Sequence, residues 1–327
     1  MKDLRIIFMG TPEFAVESLK NLVENHYNVV AVVTMPDKAV GRHHDTLQAS
    51  PVKQYAVEQG IPVLQPERLK DEAFLEELRS YKADLQIVVA FRMLPEVVWA
   101  MPPMGTFNLH AALLPQYRGA APINWAVING DTETGVTTFF LDHDIDTGRI
   151  IHRVPAPIAD RDTVGDVYDR LMVLGADLVV KTVDDIENHR IAPVEQSAVL
   201  GDSSAELKPA PKLFKENTEI RWSQHTVKSA YDFIRGLSPY PAAWTTLRAA
   251  DGKETQLKVF FAEKAPSTLS PQPSALNVPL SDGCIALTDI QLAGKKRMPA
   301  ADFLRGAHLE GAVLVESGIE EVRPIIL

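Results

Sequence analysis

Leu4-Arg5-Ile6-Ile7-Phe8-Met9-Gly10-Thr11-Pro12-Glu13 opens the chain with a short apolar run, a glycine and a helix-start signal. Four apolar residues in succession at Ile6–Met9 suit a strand covered on both faces. Thr11 is placed to cap a helix whose first position is Pro12, because the missing proline N–H costs nothing there. The pattern then repeats. Asn28 to Thr34 and Leu85 to Ala90 are further apolar runs, and helical spacing lies between them near Val52–Gln59 and Arg68–Ser80. Such βαβ alternation predicts a mostly parallel sheet with helices on both faces, a Rossmann-like α/β fold. The first turn lacks G-x-G-x-x-G, and no P-loop is present, which disfavours a dinucleotide or nucleoside triphosphate as ligand.

Ligands of such sheets bind beyond the carboxyl ends of the strands. There the sequence places Asn108-Leu109-His110-Ala111-Ala112-Leu113-Leu114-Pro115-Gln116-Tyr117-Arg118-Gly119. In an extended segment Asn108 and His110 share a face. One offers a neutral hydrogen-bond donor, the other a group that titrates near neutrality. A second apolar run, Val136 to Leu141, reads as a strand and ends in an acidic turn containing Asp146. A carboxylate beside His110 would favour imidazolium and orient the ring. Each residue also has a plain structural role open to it: a turn former at 108, a satisfied histidine at 110, a turn aspartate at 146. His143 and Asp144 with His110 match no zinc spacing well, so no metal is expected.

Bulk properties bound the rest. A chain of 327 residues favours two domains. A single cysteine, Cys284, excludes a disulfide framework within the chain. No apolar run reaches the ~18 residues of a membrane span, and no signal peptide is evident, so a cytoplasmic location is the expectation. Residues 1–206 hold 18 Lys and Arg against 30 Asp and Glu, a net of −12, whereas residues 207–327 hold 15 against 13, a net of +2. A local basic face on the second part, such as Lys295-Lys296-Arg297, is compatible with phosphate contacts despite the overall charge of −10.

Further on, a helix is expected from Thr163 to about Ile186, with Thr163 as its cap. Residues 188–215, rich in Pro, Ser and Ala, read as a linker between a domain at 1–187 and a second at 216–327. The latter begins with a helix at Val227–Ile234. Short strands follow at Trp244–Leu247, Gln256–Phe261, Cys284–Ile290 and Ala312–Val315, around a Pro/Ser-rich loop, Ala265 to Pro279. Strands at this spacing suggest a small β-barrel.

The segments around Asn108–His110 and Asp146 resemble the formyltransferase family that uses 10-formyltetrahydrofolate. So do Ile7 to Ala15, Met35-Pro36-Asp37 with Gly41-Arg42, Ile220-Arg221-Trp222-Ser223 and Ile234 to Thr245; the resemblance covers nearly the whole chain. It implies an OB-like barrel for the second domain, 10-formyltetrahydrofolate as co-substrate, initiator methionyl-tRNA as acceptor and a monomeric enzyme. By resemblance Asn108 donates to an oxyanion, His110 shares in that and in proton movement, and Asp146 tunes His110. Phe91, Ala112, Leu113, Leu114 and Pro115 match the stretches along the folate. Ala112 stands where serine is common. Arg92 replaces a small residue, and either an outward orientation or contact with the folate's acidic tail is compatible with the sequence. Arg42, in the loop Pro36 to Ser50, matches an arginine that meets the tRNA acceptor stem. His43, His44 and Asp45 follow it where the family is usually lysine-rich. Two other functions stay open: a folate-dependent formyltransferase for a small amine, such as an amino sugar or purine precursor, and a non-catalytic RNA- or folate-binding module.

Overall fold

The opening run forms the middle of a mostly parallel sheet. The structure, a computed structural model, describes residues 3–40, 46–200, 206–265, 274–307, 309–319 and 322–326. In chain order the elements begin with β1 (Arg5–Gly10), α1 (Glu13–Glu24), β2 (Asn28–Val33) and a small hairpin of β3 (Lys38–Val40) and β4 (Thr46–Gln48). Next come α2 (Pro51–Glu58), β5 (Val63–Leu64), α3 (Glu72–Ser80), β6 (Leu85–Val89), α4 (Glu96–Trp99) and β7 (Thr106–His110). α5 (Pro122–Ile128), β8 (Glu133–Phe140), β9 (Ile150–Pro157), α6 (Val164–Glu187) and α7 (Gln196–Leu200) follow.

The sheet order is β5-β2-β1-β6-β7-β8-β9. β5, β2, β1, β6 and β7 are parallel, and β8 turns antiparallel to β7. That reversal is not legible in the alternation of elements. Successive residues of β1 face opposite ways. Ile7 and Met9 pack with Phe74, Leu75 and Leu78 of α3. On the other face α6 crosses β7 at Gly175, where an added Cβ would stand 2.7 Å from Leu109 Cδ2. Leu109 sits between Asn108 and His110, so this close approach bears directly on the strand end that carries them.

Helix α1 departs from the expectation at its start. Its N-cap is Pro12, and the Thr11 hydroxyl caps nothing; it is buried without a partner. Thr163 does close a capping box. Its N–H and hydroxyl donate to Asp166 Oδ2 at 2.8 and 2.6 Å, and its Oγ1 accepts from the Asp166 N–H at 3.3 Å. The segment read as a linker carries its own structure: Val194 pairs with Ile150 through two backbone hydrogen bonds of 2.8 and 2.9 Å, and α7 follows.

Two compact units divide the chain. Met1–Pro122, Thr134–Pro157 and Tyr168–Pro209 form one; Ile123–Glu133, Ile158–Val167 and Ala210–Leu327 form the other. The second contains α8 (Val227–Leu237), β10 (Ala243–Arg248), β11 (Glu254–Ala265), β12 (Leu276–Leu280), β13 (Gly283–Leu292), β14 (Met298–Pro299), α9 (Ala300–Leu304), β15 (Val313–Val315) and β16 (Val322–Pro324). β12 corrects the expected loop over Ala265–Pro279. Leu276, Val278 and Leu280 alternate into the core, a period-two signal hidden by the prolines and serines around it. The sheet order β12-β13-β11-β10-β15-β16 almost closes on itself. Asn277 and Ile326 exchange backbone hydrogen bonds of 3.2 and 2.9 Å across the seam. This is the OB-like barrel expected for that region.

The barrel core surrounds Trp222, which is fully buried and donates from Nε1 to Thr245 Oγ1 at 3.0 Å. Arg235 of α8 is also buried. It donates to Asp232 Oδ1 at 2.8 Å and to the carbonyls of Ala159 and Asp162 at 3.3 and 3.0 Å, tying the segment 158–167 into this unit.

Candidate active site

Asn108 and His110 stand on one face at the carboxyl end of β7. Asn108 is flanked by Val88 on β6 and Phe139 on β8, and His110 lies opposite Thr137. The Asn108 Oδ1 is buried without a hydrogen-bond partner. Burying a polar group unpaired is costly, and this oxygen is an acceptor open to an incoming N–H or O–H.

Only 6 % of His110 is exposed. Its Nε2 lies 2.8 Å from the Tyr117 carbonyl. A carbonyl can only accept, so Nε2 carries the proton in the neutral ring and Nδ1 presents its lone pair. The ring of Phe139 meets the imidazole edge-on, with centroids 6.5 Å apart. Thr137 fixes the turn that follows. Its hydroxyl donates to the Ala112 carbonyl at 2.6 Å and accepts from the Leu114 N–H at 3.1 Å.

Asp146 approaches from the turn after β8. Its Oδ2 is 3.9 Å from His110 Nδ1 and accepts the Gly119 N–H at 2.9 Å. The Asp146 backbone is left-handed, with φ of 55°. Gln196 holds that turn from α7: Nε2 donates to the carbonyls of Asp146 and Gly148 at 2.7 and 2.9 Å. Arg118 in turn donates from Nε and Nη2 to Gln196 Oε1 at 3.1 and 2.6 Å. The sequence carried no signal for Gln196, which stands 50 residues beyond Asp146 in a stretch read as linker. Thr137 was equally hidden, as one β-branched residue in a strand of them.

Burial pushes the His110 imidazole below its ordinary value of 6.5, while the Asp146 charge and the Tyr117 carbonyl pull it back up. The ring is therefore neutral at pH 7. An arriving proton would go to Nδ1, where Asp146 waits to stabilise the imidazolium.

The residues matched to the folate divide by exposure. Ala112, Leu114 and Pro115 are buried; Leu113 and Phe91 are half-exposed, and Phe91 leans on the core beneath β1 and β6. Arg92 is half-buried. Its guanidinium is docked on the backbone, with Nη1 donating to the Glu67 carbonyl at 2.9 Å and Nη2 to that of Pro66. Arg42, with Gly41 and His43 to Asp45, lies outside the described residues. The base of its loop is tied by Asp37, which accepts from Lys53 Nζ and Gln65 Nε2, each at 2.7 Å. In the barrel unit Lys295, Lys296 and Arg297 are exposed. Arg297 is engaged with Asp289 through contacts of 2.5–3.0 Å and lies over the Phe260 ring at 4.2 Å. His143 faces Glu96 at 3.8 Å and the Trp99 ring. Among the described residues no three His, Cys, Asp or Glu side chains group as a metal site, and no helix is long and apolar enough to cross a membrane.

An amide, an imidazole and a carboxylate stand at the carboxyl edge of a mostly parallel sheet, and an OB-like barrel follows; comparison with known proteins puts the chain among formyl-transferring enzymes. The model of the Formyl transferase family matches residues 4–183, and that of the Formyl transferase C-terminal domain matches residues 212–308. Methionyl-tRNA formyltransferase of Parabacteroides distasonis is 62% identical over 313 residues, spanning 93% of this chain and 96% of its own. That of Phocaeicola vulgatus is 63% identical over 313 residues, with the same coverage. The chain belongs to the formyl transferase family, in its methionyl-tRNA formyltransferase branch. Among solved structures, HypX from Aquifex aeolicus in complex with tetrahydrofolic acid shares the fold with a TM-score of 0.61 at 19% identity, covering 93% of this chain and 47% of that one.

Proposed function

We propose that this enzyme transfers the formyl group of 10-formyltetrahydrofolate to the α-amino group of methionyl initiator tRNA, for translation initiation. The observation that carries this reading is the likeness, at 47–63% identity along nearly the whole chain, to proteins named methionyl-tRNA formyltransferase. The folate is a substrate, consumed in the reaction, and the proposed setting is a monomer in the cytoplasm.

The residues support direct acyl transfer. The neutral amine forms a bond to the formyl carbon, and the carbonyl electron pair moves onto oxygen. Asn108 donates from its amide nitrogen to that oxyanion. His110 Nδ1 takes the proton leaving the amine, and Asp146 holds the resulting imidazolium. As the oxyanion pair returns, the bond to the folate nitrogen breaks, and the proton is delivered there. No serine or cysteine nucleophile is required, because the donor arrives already activated. Phe91, Ala112, Leu113, Leu114 and Pro115 form the folate side of the site, with the buried members acting through backbone and packing. Arg42 and the Lys295–Arg297 turn are the tRNA contacts, chosen for the affinity of cationic side chains for phosphate.

The test is a single-turnover assay with purified protein, 10-formyltetrahydrofolate and charged tRNA. Formylmethionyl-tRNA should form, faster with initiator than with elongator tRNA. Formylation of an amino sugar or glycinamide nucleotide, with Met-tRNA untouched and the donor intact, would refute the reading.

A further inference from the structure

We propose that Gln196 is a positioning residue for Asp146, held in that role by Arg118, so that α7 forms part of the working site. The inference rests on the proposed role of Asp146. Every hydrogen-bonding group of the Gln196 side-chain amide is committed. Its two N–H bonds go to the carbonyls of Asp146 and Gly148 at 2.7 and 2.9 Å, and its oxygen takes two donors from Arg118. A guanidinium only donates and a carbonyl only accepts, so the amide has one orientation available. Gln196 is 3 % exposed, and two residues earlier Val194 is pinned to Ile150.

This arrangement answers a need at Asp146. A residue with a Cβ resists a left-handed backbone and keeps it only when its surroundings over-determine it. Here the Asp146 carbonyl is fixed by Gln196 and its carboxylate by the Gly119 N–H. Gly148 adds to the constraint, because an added Cβ would stand 1.7 Å from the Phe140 carbonyl oxygen. The contacts close a ring. Arg118 holds Gln196, Gln196 holds the Asp146 backbone, and the Asp146 carboxylate returns to Gly119, next to Arg118 in the chain. The ring leaves Oδ2 at 3.9 Å from His110 Nδ1. His110 is otherwise faced by the Tyr117 carbonyl and the Phe139 ring, so Asp146 is the charged partner whose placement matters.

Gln196→Glu tests this. It preserves size but sets a carboxylate against two carbonyls. Gln196→Ala and Arg118→Gln remove the link from either end, and Arg118→Lys retains the charge and one donating nitrogen in place of two. Formylation by the parent enzyme is measured beforehand; its failure would refute the proposed function and not this inference. In the folded variants kcat should fall about 10- to 100-fold, the scale of a small misplacement in a catalytic constellation. KM for both substrates should stay near the parent, and Arg118→Lys should recover part of the rate. The His110 limb of the pH–rate profile should move to lower pH in Gln196→Ala, the one of these variants that leaves the local charge unchanged apart from Arg118→Lys. The inference is overturned if Gln196→Glu and Arg118→Gln fold and keep the parent's kcat. It is equally overturned if their only defect is a lower melting temperature or a raised KM. Should Gln196→Ala not fold, Gln196→Glu and the two Arg118 variants decide.

Discussion

His110 Nδ1 and Asp146 Oδ2 face each other at 3.9 Å, too far for a direct hydrogen bond and close enough for charge to act. The other ring nitrogen is already engaged with the Tyr117 carbonyl. The pair is thus set to receive a proton at one defined atom, and its acid–base behaviour follows from burial opposed by a neighbouring charge.

The pH dependence has a definite sign. Burial lowers the His110 value, so the acid-side loss of rate, as Nδ1 takes up a proton, should have an apparent pKa below 6.5. Asp146→Asn removes the charge that raises it. The limb should then move to still lower pH while kcat drops, as measured by kcat/KM between pH 5 and pH 8. A limb unchanged by Asp146→Asn would show that the carboxylate does not act on His110.

Asn108→Ala deletes the proposed oxyanion donor and leaves β7 pairing to Val88 and Phe139 intact. Loss of one such donor lowers kcat by about 100- to 1,000-fold, with little change in melting temperature. A variant within a few-fold of the parent in single-turnover formylation would assign the oxyanion to another group.

In the barrel unit Arg235→Ala leaves Asp232, 3 % exposed, without its buried partner. Removing one member of such a pair costs about 3–5 kcal/mol, so the variant should unfold at clearly lower denaturant in an equilibrium titration. Lys228 reaches the same carboxylate from the solvent side at 2.5 Å, which places the expected loss toward the lower end.

The basic turn after β13 should not behave as three equal cations. Arg297 is neutralised by Asp289 and stacked on Phe260, whereas Lys295 and Lys296 project as exposed side chains. Replacing both lysines by alanine should weaken Met-tRNA binding and lower its salt slope by about 1 to 2, and Arg297→Ala should change the slope less. Filter binding at several salt concentrations distinguishes them.

Much of this arrangement was visible in the chain itself. β1, β2 and β6 announced themselves as apolar runs because both of their faces are covered, and Asn108 and His110 shared a face by strand geometry alone. Thr163 capped as expected because its partner Asp166 is only three residues away. What stayed hidden was non-local. β8 runs antiparallel to β7, a choice made by pairing and not by composition. Thr11 fails as a cap because the chain enters α1 one residue later, at Pro12. β12 lay under a Pro/Ser-rich surface pattern, and its inward residues matter only once β13 is beside it. Gln196 needs 50 residues of intervening fold before it can touch Asp146.

The seam between Asn277 and Ile326 bears on how the molecule can be handled. Asn277 commits its side-chain amide there too, donating to the Ile326 carbonyl at 3.1 Å. Trimming residues 322–326 would strip β15 of its outer neighbour and leave β12 with a bare flank, offering two raw edges to other copies of the chain. A purification handle, or any shortened version made for crystallisation, therefore belongs away from that latch.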